Sequence, residues 1–266
     1  FKDVAMQLIG QMFELSLQRK SQKIVIVGAT SGDTGSAAIE AFRGLDSVEV
    51  FIMYPDGAVS EVQRRQMTTA VEGNVNALAV DGNFDDCQSL LKEMFNDLDF
   101  RDEVNLASVN SINWARVMAQ VVYYFTSAIS LGAPKNKVNF TVPTGNFGDI
   151  FAGYLAHKMG LPIEQLVIAT NQNDILHRCI SDNDHSTRPL EQSLAPSMDI
   201  MISSNFERLL FDLYDGDGEA IAGLMANAKE GRMELGPKAL AKARKLFSSY
   251  RCDDEGMLQI ISSVYQ

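Results

Sequence analysis

Two glycine-rich turns hold the residue types that could bind an anionic ligand. The first, at residues 28–35, reads GATSGDTG, and the second, at residues 143–149, reads PTGNFGD. Each follows a short β-branched apolar run and precedes a helical pattern of small residues. A helix start offers backbone N–H groups and the positive end of the helix dipole, and glycine lets a phosphate or carboxylate approach the main chain. The two turns therefore predict two sites for anionic groups.

The first turn does not match the known nucleotide-binding motifs. No Gly-Lys-Ser/Thr follows it, and its glycine spacing differs from the G-x-G-x-x-G dinucleotide motif. A dinucleotide site stays open as an alternative because Asp56 could supply the acid that such a site needs. The turn offers the hydroxyls of Thr30, Ser31 and Thr34 to a carboxylate or a phosphate. A helix start capped by Ser31 or Asp33 is the structural alternative.

The second turn has fewer structural alternatives. Gly145 and Gly148 permit a tight backbone, and Thr144 and Asn146 can donate hydrogen bonds. The helix that starts at Gly148 directs its dipole at the turn. A strand-to-helix turn without a function needs fewer special residues, so anion binding is favoured here.

A polar segment at residues 110–116, NSINWAR, precedes a long apolar helical pattern. Its two amides, hydroxyl and guanidinium come from Asn110, Asn113, Ser111 and Arg116. Arg116 follows Asn113 by three positions, so on a helix both side chains could reach one anion. Ser111 could equally be a plain N-cap. The segment alone predicts a polar cluster.

Composition and charge argue against several classes of protein. The 266 residues are 46% apolar and 21% charged, which suffices for one large domain or two modest ones. The net charge of -11 argues against nucleic acid or an anionic membrane surface as the main partner. Three scattered cysteines and three histidines lack metal-ligand spacing, so we expect no metal and no disulfide, which fits a reducing cytoplasm. No apolar run reaches the roughly 20 residues of a membrane span.

Alternating strand and helix patterns predict the fold that positions these residues. Apolar strand-like runs fall at residues 24–27, 48–53, 75–80, 138–142 and 165–170. Helical patterns fall at residues 3–18, 60–71, 84–96, 111–131, 148–159, 205–213 and 237–249. Such alternation is typical of an α/β fold with a parallel sheet covered by helices. Both glycine turns would lie at carboxyl ends of strands, where such sheets bind ligands.

A candidate linker at residues 131–137, LGAPKNK, divides the chain. Glycine, proline and charge interrupt the pattern there, just after a long apolar helix. We expect a smaller α/β domain over residues 1–130 and a larger one over residues 131–266. The chain opens on Phe1 within a helical pattern and stops at Gln266 within another. We therefore expect it to be an interior piece of a longer polypeptide.

Taken together, these segments resemble the threonine synthase family of fold-type II pyridoxal-phosphate enzymes, of the type found in fungi and many bacteria. The matching strings follow the family's order and cover nearly all the chain: FKDVAMQ, VGATSGDTGSAAIEAF, QRRQMTT, GNFDDCQ, SVNSINWARVMAQVVYYF, VPTGNFGDIFAGYLAHKMGLP, ATNQNDIL and PSMDIMISSNFERLLF. The resemblance implies two open, mostly parallel twisted sheets covered by helices, as in tryptophan synthase β-like enzymes. It also implies the cofactor pyridoxal 5'-phosphate. Family segments before the lysine and after the last helix have no match here.

The resemblance implies a reaction and roles for individual residues. The reaction is the conversion of O-phosphohomoserine and water to L-threonine and phosphate, the last step of threonine biosynthesis. Lys2 matches the catalytic lysine that carries the cofactor as a Schiff base, and Asn110 would hold the cofactor hydroxyl. The cofactor phosphate would be held in the domain over residues 131–266 by Gly145, Asn146, Phe147 and Gly148. In the domain over residues 1–130, the substrate would be bound by Thr30, Ser31, Gly32, Asp33, Thr34, Ser111, Asn113 and Arg116.

Three other functions stay open. A threonine-synthase-like phospholyase would use the same residues but release 2-oxobutyrate and phosphate. A pyridoxal-phosphate binding protein that has lost activity is disfavoured because Lys2 is retained. A nucleotide-binding module is the distant alternative. The sequence does not give the oligomeric state, so we expect a monomer or a homodimer in the cytoplasm that acts on a small molecule.

Overall fold

The chain forms two compact units, Phe1–Ala119 and Gln120–Gln266. The computed structural model describes residues 2–111 and 113–265, apart from the side chains of Asp85 and Lys229. The division between the units falls within a long helix, ahead of the candidate linker at residues 131–137, most of which forms turns. Among the described residues, no helix combines the length and the apolar composition of a membrane span.

A four-stranded parallel sheet organises the first unit. In spatial order β3-β2-β1-β4, its strands are β1 (Ile24–Ala29), β2 (Val48–Pro55), β3 (Val75–Val80) and β4 (Leu106–Ala107). The helices of this unit are α1 (Lys2–Lys20), α2 (Asp33–Phe42), α3 (Glu61–Thr68), α4 (Phe84–Asn96) and α5 (Leu98–Glu103). The helix α6 (Trp114–Ser130) begins in this unit and continues in the second.

Helices cover both faces of this sheet. On one face, Met6 of α1 and Phe42 of α2 are completely buried in the main apolar core. The two helices approach so closely that a Cβ at Gly10 would lie 2.5 Å from the carbonyl oxygen of Ala41. On the other face, Cys87 of α4 packs in a smaller apolar cluster. Burial on both faces explains why β1 and most of β2 are apolar.

A three-stranded parallel sheet organises the second unit. In spatial order, its strands are β5 (Val138–Pro143), β6 (Ile163–Thr170) and β7 (Phe247–Arg251). Its helices are α7 (Gly148–Lys158), α8 (Ile175–Asp182), α9 (Phe206–Leu213), α10 (Gly218–Lys229), α11 (Pro237–Arg244) and α12 (Asp254–Tyr265). A short 3₁₀ turn lies at Pro196–Met198.

The two parallel sheets confirm the expected fold class, and one expected element is wrong. The helix expected over residues 237–249 ends at Arg244, and β7 begins at Phe247 instead. This strand has only five residues and pairs with β6, so tertiary pairing decided its structure. Strand β4 was missed because only two of its residues pair with β1, too few to show a period. Helices α5, α8 and α10 were missed as well.

We expect Phe42→Ala to lower the free energy of unfolding by about 3 to 5 kcal/mol, because a completely buried ring leaves a cavity in the main core. Urea denaturation followed by circular dichroism measures the change. The matched control is Phe100→Ala in the same unit, whose side chain is 39% exposed and should cost less than about 1 kcal/mol. Equal costs for the two variants would contradict the assignment of Phe42 to the core.

Candidate active site

Lys2, the first residue of α1, faces the start of α2. Its Nζ lies 3.5 Å from Oδ2 of Asp33, and about a quarter of its side chain is exposed. Burial lowers the pKa of Lys2, the negative charge of Asp33 opposes this, and the positive charge of Arg116 adds to the lowering. A lysine with a lowered pKa has a larger neutral fraction near pH 7, and the neutral amine is the form that attacks a carbonyl. Lys2 is therefore placed for amine chemistry.

The turn between β1 and α2 takes its shape from Thr30. This residue is buried, and its Oγ1 accepts hydrogen bonds from the backbone N–H groups of Gly32, at 3.0 Å, and Gly35, at 2.9 Å. Gly32 has φ 138° and occupies the N-cap position without a side-chain cap, so neither Ser31 nor Asp33 caps the helix. The hydroxyl oxygen of Thr30 thus shapes the loop expected to bind the substrate carboxylate.

A cavity of about 520 Å³ lies in the first unit at the carboxyl end of β1. Three of the predicted site residues line it, namely Thr30, Thr34 and Asn110. Helix α4 contributes Gln88 to the wall. Ser108 also lines the cavity, and its buried Oγ makes no hydrogen bond within the described part of the chain. The cavity is therefore partly polar and has hydrogen-bonding capacity to offer a ligand.

Asn113 and Arg116 of the polar segment at residues 110–116 form hydrogen bonds with the backbone near the start of α6. Asn113, rather than Ser111, caps the helix, because its Oδ1 accepts a hydrogen bond of 2.9 Å from the N–H of Ala115. Its Nδ2 donates to the carbonyl oxygen of Ser108 at 3.3 Å. Arg116 is 3% exposed, and its Nη1 donates to the carbonyl oxygen of Val109 at 3.1 Å. Its charge acts on Lys2, so this segment and the lysine belong to one electrostatic environment.

The second glycine turn joins β5 to α7, and a buried aromatic ring fixes its backbone. Phe147 has φ 63°, in the left-handed region, although it is not glycine. Its side chain is 1% exposed and packs against the rings of Phe206 and Phe247, with centroid distances of 5.2 Å and 5.8 Å. Burial of this ring offsets the backbone strain. The turn is therefore held by tertiary packing.

Asn205 ties the same turn to the start of α9. Its backbone N–H and its Nδ2 both donate to the carbonyl oxygen of Asn146, at 3.1 Å and 3.0 Å. The hydroxyl of Ser204 donates to Oδ1 of Asn146 at 3.0 Å. A Cβ at Gly145 would lie 3.0 Å from Cγ1 of Ile200, so the backbone passes close to that side chain. The sequence predicted no role for Asn205 beyond the start of the helical pattern over residues 205–213.

The chemistry of this turn fits a bound phosphate. The first N–H groups of a helix have no intrahelical acceptors, and here they follow Gly145, Asn146 and Phe147 at the start of α7. The hydrogen bonds described above hold the turn in one conformation, so an anion would meet a preorganised group of donors. The predicted residues Gly145, Asn146, Phe147 and Gly148 are brought together as one structural unit.

Asp149 lies in the first turn of α7, next to these donors. Burial raises the pKa of its carboxyl to about 6. Its Oδ1 is buried and makes no hydrogen bond within the described residues, while Tyr124 donates to its backbone oxygen at 2.9 Å. The raised pKa leaves part of this carboxyl neutral in mildly acidic solution, which lessens its repulsion of a nearby anion.

A second polar network, missed by sequence reasoning, lies at the carboxyl end of β6. Asn171 and Asn173 both donate to Oδ1 of Asp199, at 2.7 Å and 2.9 Å. Buried Asp174 binds Arg178 at 2.8 Å and Arg251 at 2.9 Å. These bonds tie the irregular segment around Asp199 and the end of β7 to the end of β6. The sequence around Asn171 and Asp174 does not indicate which distant side chains form hydrogen bonds or ion pairs with these residues.

The chain belongs to the pyridoxal-phosphate dependent enzymes, the family that matches residues 1–250. It is 55% identical to the threonine synthase of Pseudomonas aeruginosa over 100% of this chain and 57% of that protein. It is 46% identical to the threonine synthase of Saccharomyces cerevisiae over 100% of this chain and 56% of that protein. A crystal structure of pyridoxal-phosphate-bound threonine synthase from Brucella melitensis is 58% identical, with a TM-score of 0.91, covering 95% of this chain and 55% of that chain.

These similarities confirm the expected family, its cofactor and the fold-type II architecture. The chain spans a little over half the length of the curated relatives that it matches. The roles of individual residues stay predictions.

We expect Asp149→Asn to change how stability depends on pH. The folded protein holds the Asp149 proton more tightly than the unfolded chain, because its pKa is raised from 3.8 to about 6. The free energy of unfolding should therefore fall by about 3 kcal/mol as the pH rises through this window. In Asp149→Asn, this decrease in the free energy of unfolding should be absent. Urea denaturation at pH 4 and pH 7 measures it.

The control is Asp46→Asn, a change at an exposed aspartate. This variant should keep the full pH dependence of the parent protein. If Asp149→Asn keeps it too, burial of the Asp149 carboxyl does not govern the effect.

Proposed function

We propose that the full-length protein is a threonine synthase, which converts O-phosphohomoserine and water to L-threonine and phosphate in the cytoplasm. The observation that carries the proposal is the position of Lys2, whose amino group faces the loop at the start of α2. Identity of 55% to a protein named threonine synthase over this whole chain supports it. A monomer or a homodimer is compatible with the proposal.

Each part of the cofactor has a proposed partner in the chain. Lys2 would carry it covalently, and Asn110 would bind its hydroxyl. The turn from Gly145 to Gly148 would hold its phosphate through backbone N–H groups. When bound, pyridoxal phosphate draws electrons from the substrate and makes its protons at Cα and Cβ removable.

Two groups of residues would bind the substrate. The backbone of the loop from Ser31 to Thr34, with the Thr34 hydroxyl, would receive the carboxylate. Arg116 and Ser111 would receive the phosphate, because they supply a cation and a hydroxyl in the same unit. Asn113 would act mainly by fixing the start of α6, since its amide oxygen already accepts a hydrogen bond there.

Lys2 would move the protons of the reaction. As a neutral amine it would take the proton from Cα of the substrate and later return it there, and it would carry one proton from Cβ to Cγ, which becomes the methyl group once the phosphate has left. Arg116 would stabilise the phosphate as it leaves Cγ. Addition of water at Cβ then gives threonine. The lowered pKa of Lys2 suits this role, because both its neutral and its charged forms are then accessible.

The phospholyase alternative uses the same residues but needs no water at Cβ. It is not favoured, because relatives 42% to 55% identical over this whole chain carry the name threonine synthase. The nucleotide-binding alternative loses its basis with the family match.

Incubation of the full-length protein with pyridoxal phosphate and O-phosphohomoserine should give threonine and an equal amount of phosphate. NMR identifies the organic product, and a colorimetric assay measures the phosphate. Release of 2-oxobutyrate would replace the proposal with the phospholyase. If the protein binds the cofactor but forms neither threonine nor 2-oxobutyrate, both the synthase and the phospholyase functions are contradicted.

Lys2→Ala should abolish covalent attachment of the cofactor. Borohydride reduction of the loaded full-length protein, followed by peptide mass spectrometry, should find the cofactor on Lys2 in the parent. It should find none in the variant. Lys20→Ala is the matched control, because it removes an exposed lysine at the other end of the same helix. Attachment at another lysine in the parent would disprove the assignment.

A further inference from the structure

We infer that Gln63 of α3 is a positioning residue for Lys2, because its amide holds Asp33 back from a close ion pair with the lysine. The inference rests on the proposed function in one respect only, that Lys2 is the reacting amine. All the residues concerned lie in the first unit.

Asp33 is bound on both of its carboxylate oxygens by different partners. Oδ1 accepts a hydrogen bond from Nε2 of Gln63, and Oδ2 faces Nζ of Lys2 at 3.5 Å. A close charge-assisted hydrogen bond between a lysine and a carboxylate is about 2.7 to 2.9 Å. The shorter bond is therefore made to the neutral amide, and the ion pair is left long. The carboxylate is near enough to raise the pKa of Lys2 but does not form a close ion pair with it.

Ser60 fixes which end of the Gln63 amide faces Asp33. The hydroxyl of Ser60 donates to Oε1 of Gln63 at 2.9 Å, and it accepts the backbone N–H of Gln63 at 3.3 Å as the N-cap of α3. Because Oε1 is bound to a donor, Nε2 must point the other way, toward the carboxylate. In the usual S-x-x-Q capping box this side chain turns back to the helix start. Here its Nε2 reaches out to Asp33.

The backbone beneath the amide is shaped to admit it. A Cβ at Gly32 would lie 2.2 Å from Oε1 of Gln63, so a larger residue there would displace the amide from this position. The φ of 138° at Gly32 is also one that other residues rarely adopt. The Gln63 side chain thus lies directly over the turn expected to bind the substrate carboxylate. Nothing in the family resemblance assigned it a role.

The charges facing Lys2 explain why the length of the ion pair matters. Asp33 and Asp3 favour its charged form, whereas burial and Arg116 disfavour it. Closure of the long pair with Asp33 would shift this balance toward the ammonium form. An ammonium ion neither attacks a carbonyl nor removes a proton. Restraint of Asp33 by Gln63 would keep the neutral amine accessible.

The test removes the amide and keeps the length of the side chain, as Gln63→Met. The full-length protein, stripped of cofactor, is labelled with trace acetic anhydride across a range of pH. Mass spectrometry then gives the titration midpoint of the Lys2 amine, with Lys20 as an internal reference. We expect the midpoint to rise by about 0.5 to 1 pH unit, because Asp33 is free to close on the ammonium.

Two further variants separate positioning from a general structural effect. Gln66→Met makes the same change at an exposed position of α3 and should leave the Lys2 midpoint unchanged. In an Asp33→Asn background, Gln63→Met should no longer raise the midpoint, because the carboxylate it restrains is gone. In the loaded enzyme, Gln63→Met should lower kcat several-fold at pH 7 and approach the parent as the pH rises.

An unchanged or lowered midpoint in Gln63→Met overturns the inference. So does a rise that persists in the Asp33→Asn background or that Gln66→Met reproduces. The labelling measurement does not depend on turnover. If the midpoints behave as expected while the parent makes no threonine, the proposed function fails and the positioning of Asp33 stands.

Discussion

The residues proposed to bind cofactor and substrate depend on two strand-to-helix turns, one in each unit, that are held in fixed conformations. To bind an anion as proposed, each turn must keep backbone N–H groups available, and an unfolded chain would not hold that shape. In the first unit, the buried hydroxyl of Thr30 binds two N–H groups of its own turn. In the second unit, Asn205 binds the carbonyl oxygen of Asn146 from outside the turn. Parallel strands then place each turn at the carboxyl edge of its sheet.

The electrostatic setting of Lys2 follows from the same arrangement. Asp33 is at once the first residue of α2 and the nearest acid to the lysine. The geometry of the turn, together with the hydrogen bond from Gln63, therefore sets the distance between the carboxylate and the amino group. Burial and the positive charge of Arg116 lower the pKa of Lys2, whereas the negative charge of Asp33 raises it. Because these influences oppose one another, small displacements of one carboxylate have a large effect on the fraction of neutral amine.

Local patterns in the sequence were enough for the elements with strong periodicity and for the glycine turns. Helix α4 has the bounds that its pattern predicts, Phe84–Asn96. Strand β7 could not be predicted, because five residues show no reliable period and pairing with β6 decides their structure. The motif match picked out Lys2 and Gly145 to Gly148. It could not show that Gln63 lies over Gly32, since that contact joins residues about 30 positions apart.

Phe147 shows that a local motif can depend on distant sequence. Its ring packs against Phe247, the first residue of a strand about a hundred positions later in the chain. The left-handed conformation at Phe147 is costly unless that ring is buried. The residues of the glycine turn are therefore synthesised long before the residue that stabilises its conformation. As the chain emerges from the ribosome, the turn would take the shape proposed to bind a phosphate only after β7 has joined the sheet.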